Sequence, residues 1–256
     1  MPKFSGNLST MFREHSLIDR PRAAAEAGFR AIEIQFPYEL EYKALAAEIS
    51  RYALAVSVIN VPCGDFIDGG EGNSALPDRI DDFRESVLLA AKYARGLGAL
   101  NVNILAGTPS IDDETAKNAL ADNLRHAATV FAKIGITVVV EAINDIDRPG
   151  FFLSTADAVI DIIDRADHPN LALQFDLYHT AMMGQPLVET FEKHADRIGH
   201  IQFADAPGRN EPGTGTIDFA PIFDAIDASP YDGWVAAEYF PANRTGDGLA
   251  WLKIFG

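Results

Sequence analysis

Cysteine is nearly absent from this chain: Cys63 is the only one in 256 residues. No intrachain disulfide can form, which excludes a small disulfide-stapled secreted scaffold and makes the cytoplasm the default compartment. Long apolar runs are missing too. Nothing approaches the roughly 18 consecutive apolar residues a membrane span needs, and "MPKFSGNLST" at the start lacks the apolar stretch of a signal peptide. Positive charge is scarce, with 21 Lys and Arg against 37 Asp and Glu, a formal net charge of -16. Such a surface repels phosphate backbones and anionic lipid, so neither a nucleic-acid nor a membrane partner is expected. No low-complexity stretch or linker divides the chain, so residues 1–256 are expected to form one domain.

What is present is an alternation. Eight β-rich runs recur: "FSGNLS" from Phe4, "AIEIQF" from Ala31, "AVSVIN" from Ala55, "LNVNIL" from Leu100, "TVVVEAIN" from Thr137, "LALQFDLYH" from Leu171, "IGHIQFAD" from Ile198 and "WVAAEYF" from Trp234. Amphipathic stretches lie between them. "DRPRAAAEAG" has Pro21 near its start and Gly28 at its end, the usual asymmetry of a helix. "IDDFRESVLLAAKYARGLG" and "DDETAKNALADNLRHAATVFAKIG" carry apolar residues at three- and four-residue spacing and close on glycine. Strands alternating with helices imply a parallel sheet with helical crossovers, and eight such units in about 250 residues suit a (β/α)8 TIM barrel. An open doubly wound sheet is the alternative; it usually announces a Gly-rich phosphate turn after an early strand, and none is found.

In such a barrel the C-terminal strand ends form the active face. Four consecutive strands carry an oxygen-bearing side chain there: Glu141 on the fifth, Asp176 on the sixth, Gln202 on the seventh and Glu238 on the eighth. Any one of them alone could be a helix cap or a solvated rim charge. Three carboxylates converging in an apolar mouth repel one another unless a counter-charge is present, and a divalent cation is the simplest one. All-oxygen ligation favours Mg2+ or Mn2+ over Zn2+.

Other side chains are weighed against blander roles. His179, three residues after Asp176, is either a polar core residue bonded to backbone or a donor to a substrate oxygen. Arg209, in the Gly/Pro-rich "DAPGRNEPGTG", is either a solvated loop cation or a substrate contact. His200 shares a strand face with Gln202 and is expected to support a ligand rather than be one. Cys63 has no evident His partner and reads as a small buried residue. The aromatics of "EYFP" and "EIQFPY" read as rim packing.

These residues resemble the hydroxypyruvate isomerase family, among the xylose isomerase-like barrels. The similarity runs nearly end to end, through "FSGNLS", "GFRAIEIQFPY", "EAIN", "FDLYH", "GHIQFAD", "RNEPGTG" and "GWVAAEY". The resemblance implies that Glu141, Asp176, Gln202 and Glu238 bind one divalent cation, that the two glutamates are the acid/base pair, and that His179 and Arg209 contact substrate. The related ketose 3-epimerases place a His where Gln202 stands, so Gln202 leans toward the hydroxypyruvate branch. A DNA-repair endonuclease of the same superfamily binds three zinc ions through several histidines. This chain has six histidines, most of them away from the strand ends.

The implied reaction converts hydroxypyruvate to tartronate semialdehyde through a cis-enediolate, a small anionic keto acid being the partner. Arg209 is the expected cation for its carboxylate. No second carboxylate set for another metal is seen, which favours proton transfer over hydride shift. A 2-oxo-tetronate isomerase or a ketose 3-epimerase would use the same site, and a non-catalytic binding protein on the same scaffold would be expected to have lost a glutamate. A homo-oligomer is compatible with all of these readings.

Overall fold

The eight strands expected from sequence all form, and each pairs in parallel with its neighbours until the eighth meets the first. In the computed structural model, which describes residues 1–256, β1 (Lys3–Asn7), β2 (Ala31–Ile34), β3 (Ala55–Asn60) and β4 (Ala99–Ile104) are followed by β5 (Thr137–Glu141), β6 (Leu171–Asp176), β7 (Ile198–Phe203) and β8 (Trp234–Ala237). The result is the closed (β/α)8 barrel, not the open sheet.

Helices return the chain between strands: α1 (Arg20–Glu26), α2 (Tyr42–Arg51), α3 (Ile80–Leu97), α4 (Asp113–Ala132) and α5 (Ala156–Ala166). Two helices, α6 (Leu177–Met182) and α7 (Leu187–His194), share the crossover after β6, and α8 (Phe219–Ala228) and α9 (Ala250–Phe255) complete the ring. The helix ends follow their sequence signals. Gly98 takes φ 68° beyond α3, a left-handed conformation that glycine enters without Cβ strain. Asp112 caps α4 by accepting the Thr115 N–H at 3.0 Å.

The two-residue period of a strand explains why "VVVE" is buried throughout. Val138 and Val140 belong to the apolar layer under the helices, while Val139 and Glu141 alternate with them. The same alternation gives the barrel an unusually polar interior. Ser5 bonds Ser57 across it at 2.9 Å, and Asn101 donates to the Ser57 carbonyl at 3.0 Å. Asn103, one pleat period above Asn101, reaches Glu141 at 2.8 Å. Polarity therefore rises toward the C-terminal mouth, and apolar packing is displaced to the layer outside the sheet.

That outer layer is densest at the seam where the barrel closes. Trp251 of α9 lies 5.2 Å from the Phe4 ring of β1 and 5.1 Å from the Phe203 ring of β7, both edge-on. Its indole N–H donates to the Tyr239 hydroxyl at 3.1 Å. Trp251→Ala removes a buried ring that bridges β1, β7 and the segment just after β8. A loss of about 3–5 kcal/mol of unfolding free energy is expected, measured by chemical denaturation, and a loss below about 1 kcal/mol would contradict this account of the seam.

Candidate active site

The strand-end carboxylates do converge. Glu141 ends β5, Asp176 ends β6, Gln202 is the penultimate residue of β7, and Glu238 follows the last residue of β8. All four are buried. With His179 of α6 and Arg209, Phe66, Asp147, Arg148 and Phe240 of the surrounding connections, Glu141 and Glu238 line a cavity of about 160 Å³ at the barrel mouth.

Asp176 caps a helix, as the bland reading has it, and still turns one oxygen to the cavity side. Its Oδ1 caps α6 by accepting the N–H groups of Tyr178 at 2.7 Å and His179 at 3.4 Å. Its Oδ2 is left facing His179 Nε2 at 3.7 Å, and Glu141 Oε1 faces the same nitrogen at 3.8 Å. These separations are too long for hydrogen bonds. The three groups offer ligand atoms all within 4.8 Å of one another. His179 Nδ1 is already engaged by the Asn144 backbone N–H at 3.3 Å and by its side-chain amide at 2.6 Å, which leaves Nε2 for the cavity. Two buried carboxylate oxygens and the imidazole, unbonded to each other, could hold one divalent cation. With Asn144 donating to Nδ1 the neutral ring carries its proton on Nε2, so ligation by His179 requires the Asn144 side chain to turn its oxygen to Nδ1 and the ring proton to move there. His179, expected as a substrate contact, thus stands among the metal-capable groups.

Glu238 and Gln202 have different surroundings. Glu238 Oε1 accepts from Arg209 Nη2 at 2.7 Å and from Gln35 at 3.1 Å; Oε2 accepts from Asn7 at 2.9 Å and from Gln202 Nε2. Gln202 Nε2 also donates to Glu33 at 2.7 Å, and its Oε1 accepts from Gln174 at 2.6 Å. Oε1 of Gln202 therefore points away from the carboxylates. For Gln202 to serve as a ligand its amide must turn over, and Gln174, turning with it, keeps the bond between them.

Burial drives the charges upward. It raises the Glu141 carboxyl to about 8, with Asp176 adding repulsion, and Asp176 to about 6 against the pull of Arg209. Burial also raises Glu238 well above the usual carboxylate range, with Arg209 opposing and Glu141, Glu33 and Asp176 adding to it. Arg209 is held charged despite burial by Glu238, Asp176 and Glu141. Glu238 and Arg209 thus pull in opposite senses, and the geometry decides for the ion pair: four donors and no acceptor meet the Glu238 carboxylate. Burial, helped by Arg209, drops His179 well below its usual value and keeps the ring neutral, as ligation requires.

The loop that carries Arg209 is wrapped around one buried acid. Asp205 accepts backbone N–H bonds from Ala206 at 2.9 Å, Gly213 at 2.8 Å, Gly215 at 2.9 Å and Ile217 at 3.0 Å. Arg209 itself takes φ 54° there, and its guanidinium lies 5.1 Å from the Tyr178 ring and 6.0 Å from that of Phe240. It is not the solvated loop cation of the bland reading.

Several participants escaped the sequence reading. Glu33, at the end of β2, accepts from Asn7 at 2.7 Å, from Gln202, and bonds His200 Nε2 at 2.7 Å. Its signal was an acid inside the apolar run "AIEIQF", the same signal Glu141 gives. His200 takes the supporting role expected of it, bracing Glu33 beside Gln202. Cys63 is buried, and burial lifts its thiol to about 11, so it is no nucleophile. Of the aromatics, Phe36 and Phe240 line the rim, while Tyr239 belongs to the seam.

Residues 21–255 match the model of the xylose isomerase-like TIM barrel family. Hydroxypyruvate isomerase of Escherichia coli K12 is 39% identical over the whole of both chains. The chain belongs to the hydroxypyruvate isomerase family of xylose isomerase-like barrels. It is an isomerase. A 2-oxo-tetronate isomerase of Cupriavidus necator is 38% identical over 100% of this chain and 99% of its own. Among solved structures, a Brucella melitensis protein described as an AP endonuclease of family 2 superposes with a TM-score of 0.96 at 36% identity, over 100% of this chain and 99% of its own.

Two outcomes test the site. Near pH 6 the folded chain retains a proton on Glu141, and in part on Asp176, that the unfolded chain has released. Raising the pH from about 5 to about 8 should therefore lower the Tm of the metal-free protein, while the Tm gain on adding Mn2+ grows over the same range, because ligands must lose protons to bind. A metal-free Tm that rises across this range would refute the buried-carboxylate account. Separately, Asp176→Ala should weaken Mn2+ binding in a calorimetric titration by at least about a hundredfold, since it removes a charged ligand; unchanged affinity would remove Asp176 from the ligand set.

Proposed function

We propose that the chain interconverts hydroxypyruvate and tartronate semialdehyde by proton transfer through an enediolate. One observation carries the reading: Glu141 and Glu238, from strands three apart in the ring, border one small cavity that also holds a buried guanidinium and a metal-capable trio. The cavity, about 160 Å³, lies below the roughly 300 Å³ at which drug-sized pockets begin. A three- or four-carbon acid suits it better than a ketohexose, so 2-oxo-tetronate isomerisation stands as the second reading, supported by the relatives of that name.

The proposed cation is one Mg2+ or Mn2+, held by Glu141, Asp176 and His179, with Gln202 and Glu238 joining when the Gln202 amide turns. Bound there, it would supply Lewis-acid stabilisation of negative charge on the substrate oxygens. The protein's own groups do the rest. One glutamate takes the proton from the hydroxyl-bearing carbon, the other returns a proton to the former carbonyl carbon, and the hydroxyl proton passes to the former carbonyl oxygen, so atoms balance. Burial raises Glu141 to about 8, near the range where a carboxylate is an effective base, and pushes Glu238 in the same direction against the pull of Arg209. Arg209 keeps Glu238 ionised and faces the substrate with its remaining N–H groups; its Nε is buried and unpaired in the free protein. Asn103 fixes Glu141, and Asn7 and Gln35 fix Glu238, so neither base must reorganise as charge moves.

A nuclease is disfavoured by the same observations. The net charge of -16 repels a phosphate backbone, the cavity is small, and the structure brings His/Cys/Asp/Glu groups together in metal-binding array only once.

Turnover in D2O should place deuterium on a product carbon that does not exchange without enzyme, read by NMR. Glu141→Gln and Glu238→Gln should each lower kcat by at least about a hundredfold, with metal binding reduced less because Gln retains an oxygen ligand. Deuterium-free product under single turnover, with internal proton return excluded, would replace proton transfer by hydride shift, and full activity in either variant would remove that glutamate from the pair.

A further inference from the structure

The proposed substrates carry a carboxylate, and the cavity is lined by two cations, Arg209 and Arg148. Arg209 is poorly placed to grip a carboxylate with two parallel bonds. Its Nη2 already gives an N–H to Glu238 at 2.7 Å and its Nε is buried, so part of its fork is committed inside the protein. Arg148 has no such commitment. It makes no ion pair with any Asp or Glu of the chain, and its guanidinium lies 5.5 Å from the Phe66 ring. A cation held against an aromatic face is oriented without using any of its N–H donors.

The neighbouring acid is already occupied. Asp147 Oδ2 accepts the Tyr178 hydroxyl at 2.7 Å and the Asn144 amide at 3.1 Å. The backbone around Arg148 is fixed as well: its N–H bonds the Asn144 carbonyl at 3.3 Å, and its carbonyl accepts from Phe151 at 3.0 Å. Asn144 is the residue that orients His179, so the turn carrying Arg148 is tied to the metal-capable trio. Phe66 in turn packs on Phe151 at 5.7 Å. An exposed, donor-rich cation is thereby stationed at the outer end of a cavity whose inner end holds Glu141 and His179.

Resting on the isomerase reading above, we propose that Arg148 receives the substrate carboxylate and makes the site selective for keto acids over neutral ketols. Arg209 is then left to the reacting end, beside Glu238. The assignment divides two tasks between two arginines: Arg209 is tied to Glu238, whereas the side-chain donors of Arg148 are uncommitted.

The test uses the full metal-loaded chain with Arg148→Ala and Arg148→Lys. For hydroxypyruvate, Arg148→Ala should raise KM about tenfold, as expected for loss of a charge-assisted bond, with kcat within about twofold of the parent. Arg148→Lys should recover part of the loss, keeping charge but not the bidentate fork. Inhibition by dihydroxyacetone, a three-carbon ketol without the carboxylate, should be unchanged. Tartronate binding, followed by calorimetry, should weaken by the same factor as KM rises. An unchanged KM, or a parallel loss of kcat and of dihydroxyacetone inhibition, would overturn the assignment. If the parent does not turn over hydroxypyruvate, the isomerase reading falls, and tartronate still decides Arg148: no binding to the parent, or equal affinity in Arg148→Ala, overturns it.

Discussion

Four carboxylates, Glu33, Glu141, Asp176 and Glu238, are buried at one end of a barrel with a single guanidinium, Arg209, paired among them. Like charges taken out of water repel strongly and lose their hydration, so each must be stabilised by something fixed. Much of the mouth is that stabilisation. Asn7 bridges Glu33 and Glu238, Gln202 bridges the same two, Asn103 holds Glu141, and His200 holds Glu33. The amides donate and add no charge. The excess negative charge that remains is what makes the site receptive to a cation and to an acid–base role at once.

This demand reaches into the architecture. A polar interior deprives the barrel of the apolar layers that usually fill it, and the core is moved outward, to the faces between sheet and helices. The aromatic group of Phe4, Phe203, Phe223 and Trp251 at the closing seam is the densest part of that compensation. The loop bearing Arg209 is likewise built for charge. Asp205 gathers its backbone N–H groups, spending the hydrogen bonds of one buried acid to hold a cation near three others.

The two ends of the cavity differ in composition. Its inner end is rigid, with each reactive side chain held by at least one partner from another strand or loop. Its outer end is aromatic and carries Arg148, whose donors are unused. Such a division permits related enzymes to keep one reacting centre while the rim selects the substrate, as in the barrel folds where loops vary over a constant strand scaffold.

The eight strands, the closed barrel and the four strand-end oxygens were legible in the sequence because each depends on local pattern: a two-residue alternation, helix-end glycines, and an acid or amide at the end of an apolar run. Even the cap that Asp176 makes was legible in "FDLYH", beside the ligand reading. Sequence could not pair residues that only barrel closure brings together. Asn7 and Glu238 are 231 positions apart, and His200 and Glu33 are 167 apart. Nor could spacing show that Arg209 is turned inward onto Glu238, that the Gln202 amide faces its donors toward the carboxylates, or that His179 Nε2 opens on Asp176 and Glu141. Those orientations are set by side-chain rotation among neighbours from distant strands, a choice made by packing and electrostatics in three dimensions. The sequence by itself determined which groups reach the mouth of the barrel; the tertiary structure decided which of them face one another.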